Sequence, residues 1–496
     1  MAPGDMARLY HRLSSFGPAR VDVQAPIAHP LVRQDFERFD LAIEPPRTKS
    51  YPGGLSRIDL PRDWPPVAIP ATTVLAGHGP ERAQCPLDLA GLGRLLHLSA
   101  GVVRTDVHRG RTMLFRAAGS AGACFPSEIY ISARGIAGLA DAVYWYDPIG
   151  HGLVRVGPAA GGAATTLVVT GVHWRTTWKY AERGFRHLYW DAGTMLAQTL
   201  ALAQSGGLVP RLRTRFPDAE IARLVGADGV HELPIALVGL GVGIPAIEPR
   251  GDGARASIAD APVEFPLLTR AQRAGDGEVL GDPWPVAPAV PGIPPGSADL
   301  DAVILRRGSA RRMDASATVA GDVFAFSIAV ALRGTRVPHF VVVHAVEGLE
   351  PGLYRWPDLE NPIRRGLLRE ELLWVCWDMD LARDAAFVVI GAIDLATLDD
   401  RGYRDAQLEA GLVSGRLHLA AYALGIGASG MTFLDTEVAG LLGEPLAGLL
   451  VTCVGVPTYQ TTPGGRPGEP VAIVSPVAGE TIARSPATRG DGRPGW

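Results

Sequence analysis

Cysteine is scarce in this chain of 496 residues: Cys85, Cys124, Cys376 and Cys453 lie far apart, and no two form a Cys-x-x-Cys pair. That spacing argues against both a structural zinc site and a disulfide framework. An excess of either charge is also missing. A formal net charge of −4, spread without long runs, leaves no electrostatic footprint for nucleic acid or an acidic membrane surface. No stretch reaches the roughly 20 uninterrupted apolar residues of a membrane span, and the start MAPGDMARLYHRLSSF lacks the apolar core of a secretory signal. The expectation is a cytoplasmic protein with neither a membrane nor a nucleic-acid partner. There is no Walker-type loop and no GxGxxG after a strand, so ATP and a Rossmann-bound dinucleotide are unsupported; GLGVG, Gly239 to Gly243, is a weak echo at a strand end. His151, His173, His187 and His231 form no ligand-spaced pair, and no metal is implied.

What is present is ample material for a core. Hydrophobic residues make up 47% and charged residues 20%, and the length suits two domains of roughly 200 residues each. The 60 glycines and 41 prolines predict many turns. The first 60 or so residues, with PRTKSYPGGLSRIDLP, read as an irregular wrapping arm.

Two segments about 218 positions apart resemble each other: FRHLYWDAGTMLAQTLALAQSGGL from Phe185 and YRDAQLEAGLVSGRLHLAAYALGI from Tyr403. The offset is constant across Arg186 and Arg404, Asp191 and Glu409, Ala192 and Ala410, and Gly193 and Gly411. Each copy leads to a second helix, from Phe216 and from Phe433, and then to an apolar strand, IALVGLGV or LLVTCVGV. In the second copy Leu408, Leu412, Leu419 and Ala423 recur at helical spacing, with Val413, Leu417, Ala420 and Leu424 widening the same face, the mark of a buried helix. Between the units, closely spaced prolines in GDPWPVAPAVPGIPPGS exclude helix and sheet interior and predict an extended linker over 250–297. The inference is two related α+β domains fused as a pseudo-dimer.

Two segments carry the chemistry. RAAGSAGACFPSEIYI, Arg116 to Ile131, sets small residues before a strand, so that Gly119, Ser120, Ala121 and Gly122 leave the main chain uncovered for a planar or anionic ligand. Alone it is an ordinary loop feeding a strand, and Cys124 within it reads as a buried thiol packed beside Phe125. In LDAVILRRGSARRM, Arg306, Arg307, Ser309, Arg311 and Arg312 crowd at the end of an apolar helical turn; guanidinium forks with a serine hydroxyl suit phosphate.

With these motifs the chain resembles the FMN-dependent nitroreductase superfamily, and within it the SagB-type dehydrogenases that oxidise azolines in peptide natural products. ILRRGSARRM resembles the superfamily's domain starts. RAAGSAGACFPSEIY resembles the strand-preceding loop of the SagB-type branch, where a proline is more usual in the place of Gly119, and WKYAERGFRHLYWDAG resembles its Lys-Tyr motif. The likeness covers the chain from about Leu87 to Pro457. It implies an antiparallel-rich sheet flanked by helices in each of two tandem nitroreductase-like domains, packed as an intramolecular pseudo-dimer. The boundaries expected are an arm over 1–60, domain 1 over 61–249, the linker over 250–297, domain 2 over 298–460 and a tail over 461–496.

In the superfamily each flavin sits at a dimer interface, with the arginine motif from one subunit and the serine loop from the other. Here domain 1 keeps the loop and Lys179-Tyr180, but its counterpart of the arginine motif is VLAGHGPERAQ, where only Arg82 remains. Domain 2 keeps Arg307, Ser309 and Arg311, yet VPHFVVVHAV follows with no small-residue loop, and LDDRGYRD lacks Lys-Tyr. The resemblance therefore implies one FMN per chain, in a composite site. Arg307, Ser309 and Arg311 would hold phosphate and ribityl chain, and Ser120, Ala121 and Gly122 would line the isoalloxazine. Gly430, Met431 and Thr432, in the turn before Phe433, would offer backbone N–H groups near its reactive edge. Lys179 and Tyr180 are the expected catalytic residues, with Trp174 and Trp178 making the desolvated surroundings that lower a lysine pKa.

The activity implied is oxidation of a thiazoline or oxazoline on a peptide or carrier-bound small-molecule substrate, with oxygen regenerating the flavin. The expected partner is a cyclodehydratase or synthetase, and the chain is expected to be monomeric. Two alternatives stay open: an NAD(P)H-dependent nitro or quinone reductase, and a non-catalytic scaffold for a biosynthetic complex.

Overall fold

The computed structural model describes residues 2–18, 28–80, 87–108 and 111–473. The chain begins with α1 (Asp5–Ser14), then β1 (Arg57–Asp59), α2 (Ala71–Leu75) and α3 (Leu89–Ala100), and folds the hairpin β2 (Val102–His108) and β3 (Arg111–Arg116). There follow β4 (Ser127–Ser132), β5 (Val143–Asp147), β6 (Gly152–Gly157), β7 (Thr166–Val172), the short α4 (Trp174–Tyr180), the long α5 (Gly184–Ser205), β8 (Pro210–Arg213), α6 (Asp218–Val225) and β9 (Glu232–Leu240). Without the hairpin these strands make a seven-stranded sheet in the order β1-β6-β5-β4-β7-β9-β8, antiparallel throughout.

The second half repeats the plan. After α7 (Pro266–Ala274), α8 (Leu300–Arg306) and α9 (Gly321–Leu332) come β10 (His339–Val343), β11 (Gly352–Arg355), β12 (Arg364–Arg365), α10 (Arg369–Val375), α11 (Asp380–Asp384), β13 (Phe387–Ile393), the long α12 (Asp400–Ala423), β14 (Gly427–Met431), α13 (Asp435–Leu442) and β15 (Ala447–Gly455). Their sheet runs β12-β11-β10-β13-β15-β14, also antiparallel, so β13-β15-β14 reproduces β7-β9-β8. Finally β16 (Val471–Ala472) lies parallel to β2 and adds a strand to the hairpin. The strands β7, β9 and β10 are buried along their whole length, which is why they read as continuous apolar runs.

Two tandem α+β domains with this sheet plan form an intramolecular pseudo-dimer, and α5 and α12 are its axis. The equivalent glycines of the repeat set their separation. A Cβ on Gly193 would lie 2.6 Å from Leu412 N, and one on Gly411 would lie 2.7 Å from Trp190 Cα, so backbone packs on backbone. One apolar core consequently runs through both halves, from Leu95 and Leu196 to Val303 and Leu419.

Reciprocal ion pairs flank the crossing. Arg186 donates to Asp435 at the start of α13 (2.5 Å), as does Arg183, whose guanidinium lies 4.9 Å from the Phe433 ring centroid. In the mirror arrangement Arg404 donates to Asp218 at the start of α6 (3.0 Å), as does Arg401, 4.5 Å from the Phe216 centroid. All four arginines are buried; burial pushes Asp435 up, but Arg183 and Arg186 win and hold it well below the ordinary carboxylate range.

Two sequence expectations change. The arm is not merely irregular: α1 forms, fully buried Tyr10 donates to Glu182 O (2.6 Å), and Lys49 reaches Glu232 inside the first sheet's core (2.6 Å). The stretch expected as an extended linker holds α7, because Pro266 sits at its first turn, where proline is tolerated, and Leu267, Leu268 and Ala271 give it a buried face.

Asp435→Ala would strand two buried guanidinium groups and is expected to cost about 3–5 kcal/mol in urea unfolding. Gly411→Ala forces overpacking at the crossing and is expected to cost about 1–3 kcal/mol. Wild-type-like midpoints would show that the crossing does not hold the halves together.

Candidate functional site

The loop between β3 and β4 is held in an unusual backbone conformation. Gly122, Ala123 and Phe125 have φ of 57°, 54° and 48°, a region that side-chain-bearing residues enter only when their surroundings compel them. Asp191 of α5 supplies the compulsion. It accepts from Ser120 Oγ (2.5 Å) and Ala121 N (3.0 Å), while Ser120 Oγ accepts from Phe125 N (2.8 Å), and Arg47 donates to Ala123 O (2.8 Å). The other half uses the same device: Glu409 of α12 accepts from Arg336 N and Val337 N (2.7 Å each) ahead of β10. Ser120 and Ala121 thus direct their donors to Asp191, and the uncovered points of the loop are Gly119 and Gly122.

At Gly119 the two halves meet. A Cβ there would lie 3.2 Å from Arg307 Nη1, 3.7 Å from Thr194 Cγ2 and 3.9 Å from Ser309 Oγ. Arg307, just past α8, is 3% exposed and donates across the interface to Ala117 O (2.5 Å). Its Nε has no partner, and no carboxylate pairs with it among the described residues. Burial, with Arg104 adding like charge, lowers its pKa to about 10. Arg104 of β2 is likewise buried among carbonyls, donating to Thr462 O (2.7 Å) and Arg307 O (3.1 Å). Ser309 and Arg311 are exposed beside them, with Arg311 N donating to the Tyr459 hydroxyl (2.8 Å). Buried cations without counter-charge, beside a loop too close for a side chain, fit an anionic group such as a phosphate.

At Gly122 the Lys-Tyr pair arrives from the end of α4. Lys179 Nζ donates to Gly122 O (3.4 Å), and a Cβ on Gly122 would lie 2.7 Å from Tyr180 Oη and 2.8 Å from Lys179 Nζ. Lys179 is half-buried; desolvation lowers its pKa, and the charges of Arg47 and Arg311 push the same way against Cys124. Tyr180 is buried, its ring stacked on His187 at 3.9 Å, and burial raises its pKa well above 10. Trp178 packs on Phe39 and donates to Asp40 O (2.9 Å), which draws the N-terminal arm over this corner. Cys124 is a buried thiol, pushed up to about 12 by desolvation, and unsuited to nucleophilic chemistry.

Gly430 and Met431 lie not in a turn but in β14, paired with Thr452 and Val451; Thr432 follows the strand. Ordinary strand sterics decide this, since Ala428 to Met431 continue the ladder on β15. A Cβ on Gly430 would lie 3.8 Å from Ser414 Oγ of α12, whereas the Met431 side chain belongs to the second core. Arg82, the remnant of the arginine motif in the first half, and Cys85 lie outside the described residues. Sequence reasoning passed over three residues of this corner. Asp191 was visible only as the repeat partner of Glu409, while Arg104 and Arg47 meet the site only through the fold.

No family model matches the chain. A nitroreductase-like protein of Methanocaldococcus jannaschii is 31% identical over an alignment of 176 residues that covers 32% of this chain and 84% of that protein. The chain therefore belongs to the nitroreductase family. A nitroreductase-like crystal structure from Anabaena variabilis superposes on 91% of this chain and 99% of its own length at a TM-score of 0.70, with 23% identity, which shows the same fold across both halves. Among the described residues no helix is long and apolar enough to cross a membrane.

Burial raises the Asp191 pKa to about 7, against its bonds to Ser120 and Ala121. A carboxyl raised in the folded state holds a proton that the unfolded chain gives up, so its contribution to stability falls as pH rises from about 4 to about 7. Asp191→Asn is expected to flatten this part of the thermal-stability profile between pH 4 and 8. An unchanged slope would show that Asp191 is ionised throughout.

Proposed function

We propose that this chain is an FMN-dependent dehydrogenase or oxidase of SagB type. It would convert a thiazoline or oxazoline ring to thiazole or oxazole on a peptide or carrier-bound intermediate, with oxygen as final acceptor. The observation that carries the reading is the convergence on one loop: Arg307 and Ser309 of the second half at Gly119, Lys179 and Tyr180 of the first half at Gly122. In this reading Arg307, Ser309 and Arg311 take the phosphate and ribityl chain. The Gly119–Gly122 loop and the backbone of Gly430, Met431 and Thr432 flank the ring system, with one FMN per chain.

Bound FMN would supply a hydride acceptor. Aromatisation of an azoline also releases a proton, and Lys179 Nζ is the group that takes it. A lysine can do so near neutral pH only when its ammonium form is disfavoured, which is the direction that burial, Arg47 and Arg311 impose. Tyr180 keeps its proton, because burial opposes the phenolate, and so can donate to a ring heteroatom. The half-buried setting limits water around Lys179. A cyclodehydratase or synthetase would deliver the azoline, and a cytoplasmic location fits that partnership.

The test is to release and quantify the chromophore of the purified protein, then follow its bleaching by azoline substrates. One FMN per chain and azoline-dependent bleaching are expected. Lys179→Ala and Tyr180→Phe should keep FMN and lose about 10²–10⁴-fold in rate. Full rates in both would remove their role, bleaching by NAD(P)H alone would indicate a nitro or quinone reductase, and absence of flavin would indicate a scaffold.

A further inference from the structure

The pseudo-twofold relation gives the chain a second cleft, and its walls can be named. Asp191 corresponds to Glu409, and the loop residues it holds, Ser120 and Ala121, correspond to Arg336 and Val337. Phe433 and Asp435 correspond to Phe216 and Asp218, so Ser429 and Met431 of β14 correspond to Leu212 of β8 and Thr214 just after it. The end of α8 corresponds to the end of α2, whose N-caps Asp299 and Pro70 face each other in an antiparallel bridge. Residues Arg336, Thr214 and His78, with Gly77 beside it, therefore bound the counterpart of the cleft between Ser120, Met431 and Arg307.

The proline-rich connector runs through it. Trp284 N donates to Leu212 O (2.7 Å) and Trp284 Nε1 to Thr214 Oγ1 (2.9 Å), fixing the indole to the β8 wall. The Arg336 guanidinium lies 4.0 Å from the indole centroid and covers it from the loop wall. Further on, a Cβ on Gly334 would meet Ala287 Cβ at 2.7 Å, one on Gly77 would meet Ala289 Cα at 3.4 Å, and Val290 N donates to Ala76 O (2.8 Å). One extended segment thus touches all three walls. Its prolines suit the task, because a chain already extended loses little entropy on being laid in a groove.

We propose that Gly281–Val290 is a resident plug of the second cleft, with the Trp284 indole lying where the pseudo-twofold relation would put a second flavin ring system. The proposal rests on the FMN reading of the first cleft, and it gives the single-flavin stoichiometry a physical cause. On the phosphate side the same alignment sets His78 and Pro80 where the first cleft has Arg307 and Ser309. Arg333, whose Nε has no partner, reaches Gly77 on that side, so the probe for an opened second cleft is the flat heteroaromatic ring alone, which tests the ring position and not the phosphate side.

The experiment uses the full-length, FMN-saturated protein and lumiflavin, the flavin ring system without its ribityl phosphate. The wild type is expected to hold one FMN and take up no lumiflavin. Trp284→Ala should keep that FMN and bind one equivalent of lumiflavin at least 10-fold more tightly than the wild type, read by fluorescence quenching. Trp284→Leu, which retains an apolar filler, gives the same comparison if the alanine variant does not fold. Two flavins in the wild type, or folded variants that bind lumiflavin no better than wild type, would overturn the plug. A wild type with no FMN would instead defeat the reading of the first cleft, while the lumiflavin comparison would still decide the second.

Discussion

Everything in this molecule depends on the contact of α5 with α12. Because Gly193 and Gly411 let the two backbones touch, each half can send two arginines across the axis to the acid that opens the other's helix. Buried ion pairs of this kind are costly to desolvate and add little to stability over an apolar contact, but they are unforgiving of misalignment. They fix which loop of one half faces which helix end of the other. The clefts are consequences of that registration.

Registration alone would give two equal clefts, and the sequence has made them unequal. On one side a glycine loop faces an arginine whose Nε has no protein partner; on the other, arginine and proline replace the loop and a tryptophan fills the gap. The same fold geometry thus yields one site with buried, uncompensated positive charge and one closed by the chain itself.

Much of this was legible in the sequence. The repeat from Phe185 and Tyr403, with its constant offset, pointed to the tandem plan because residues that pack backbone to backbone tolerate little but glycine. The motif at Arg307 was legible as a cluster of one residue type. What was not legible came from partners distant in the chain. Asp191 looked like a helix residue until the loop folded onto it, and Arg104 is an unremarkable strand residue until β2 meets the end of α8. Local rules also misjudged 250–297, where proline density hid α7, and the family resemblance set Gly430–Met431 in a turn where cross-strand pairing with β15 made a strand.

The composition has one more consequence. The chain contains two lysines, Lys49 and Lys179. The first has a side chain that is 0% exposed and is neutralised by Glu232, while the second stands half-buried at the cleft with its ammonium form disfavoured. Apart from the terminal amine, the protein therefore offers acylating reagents a single side-chain amine, and it is the one beside Gly122. Side-chain acylation is thereby confined to this corner, so an amine-reactive dye or cross-linker on Lys179, told apart from the terminal amine by peptide mapping, would report on who enters the cleft.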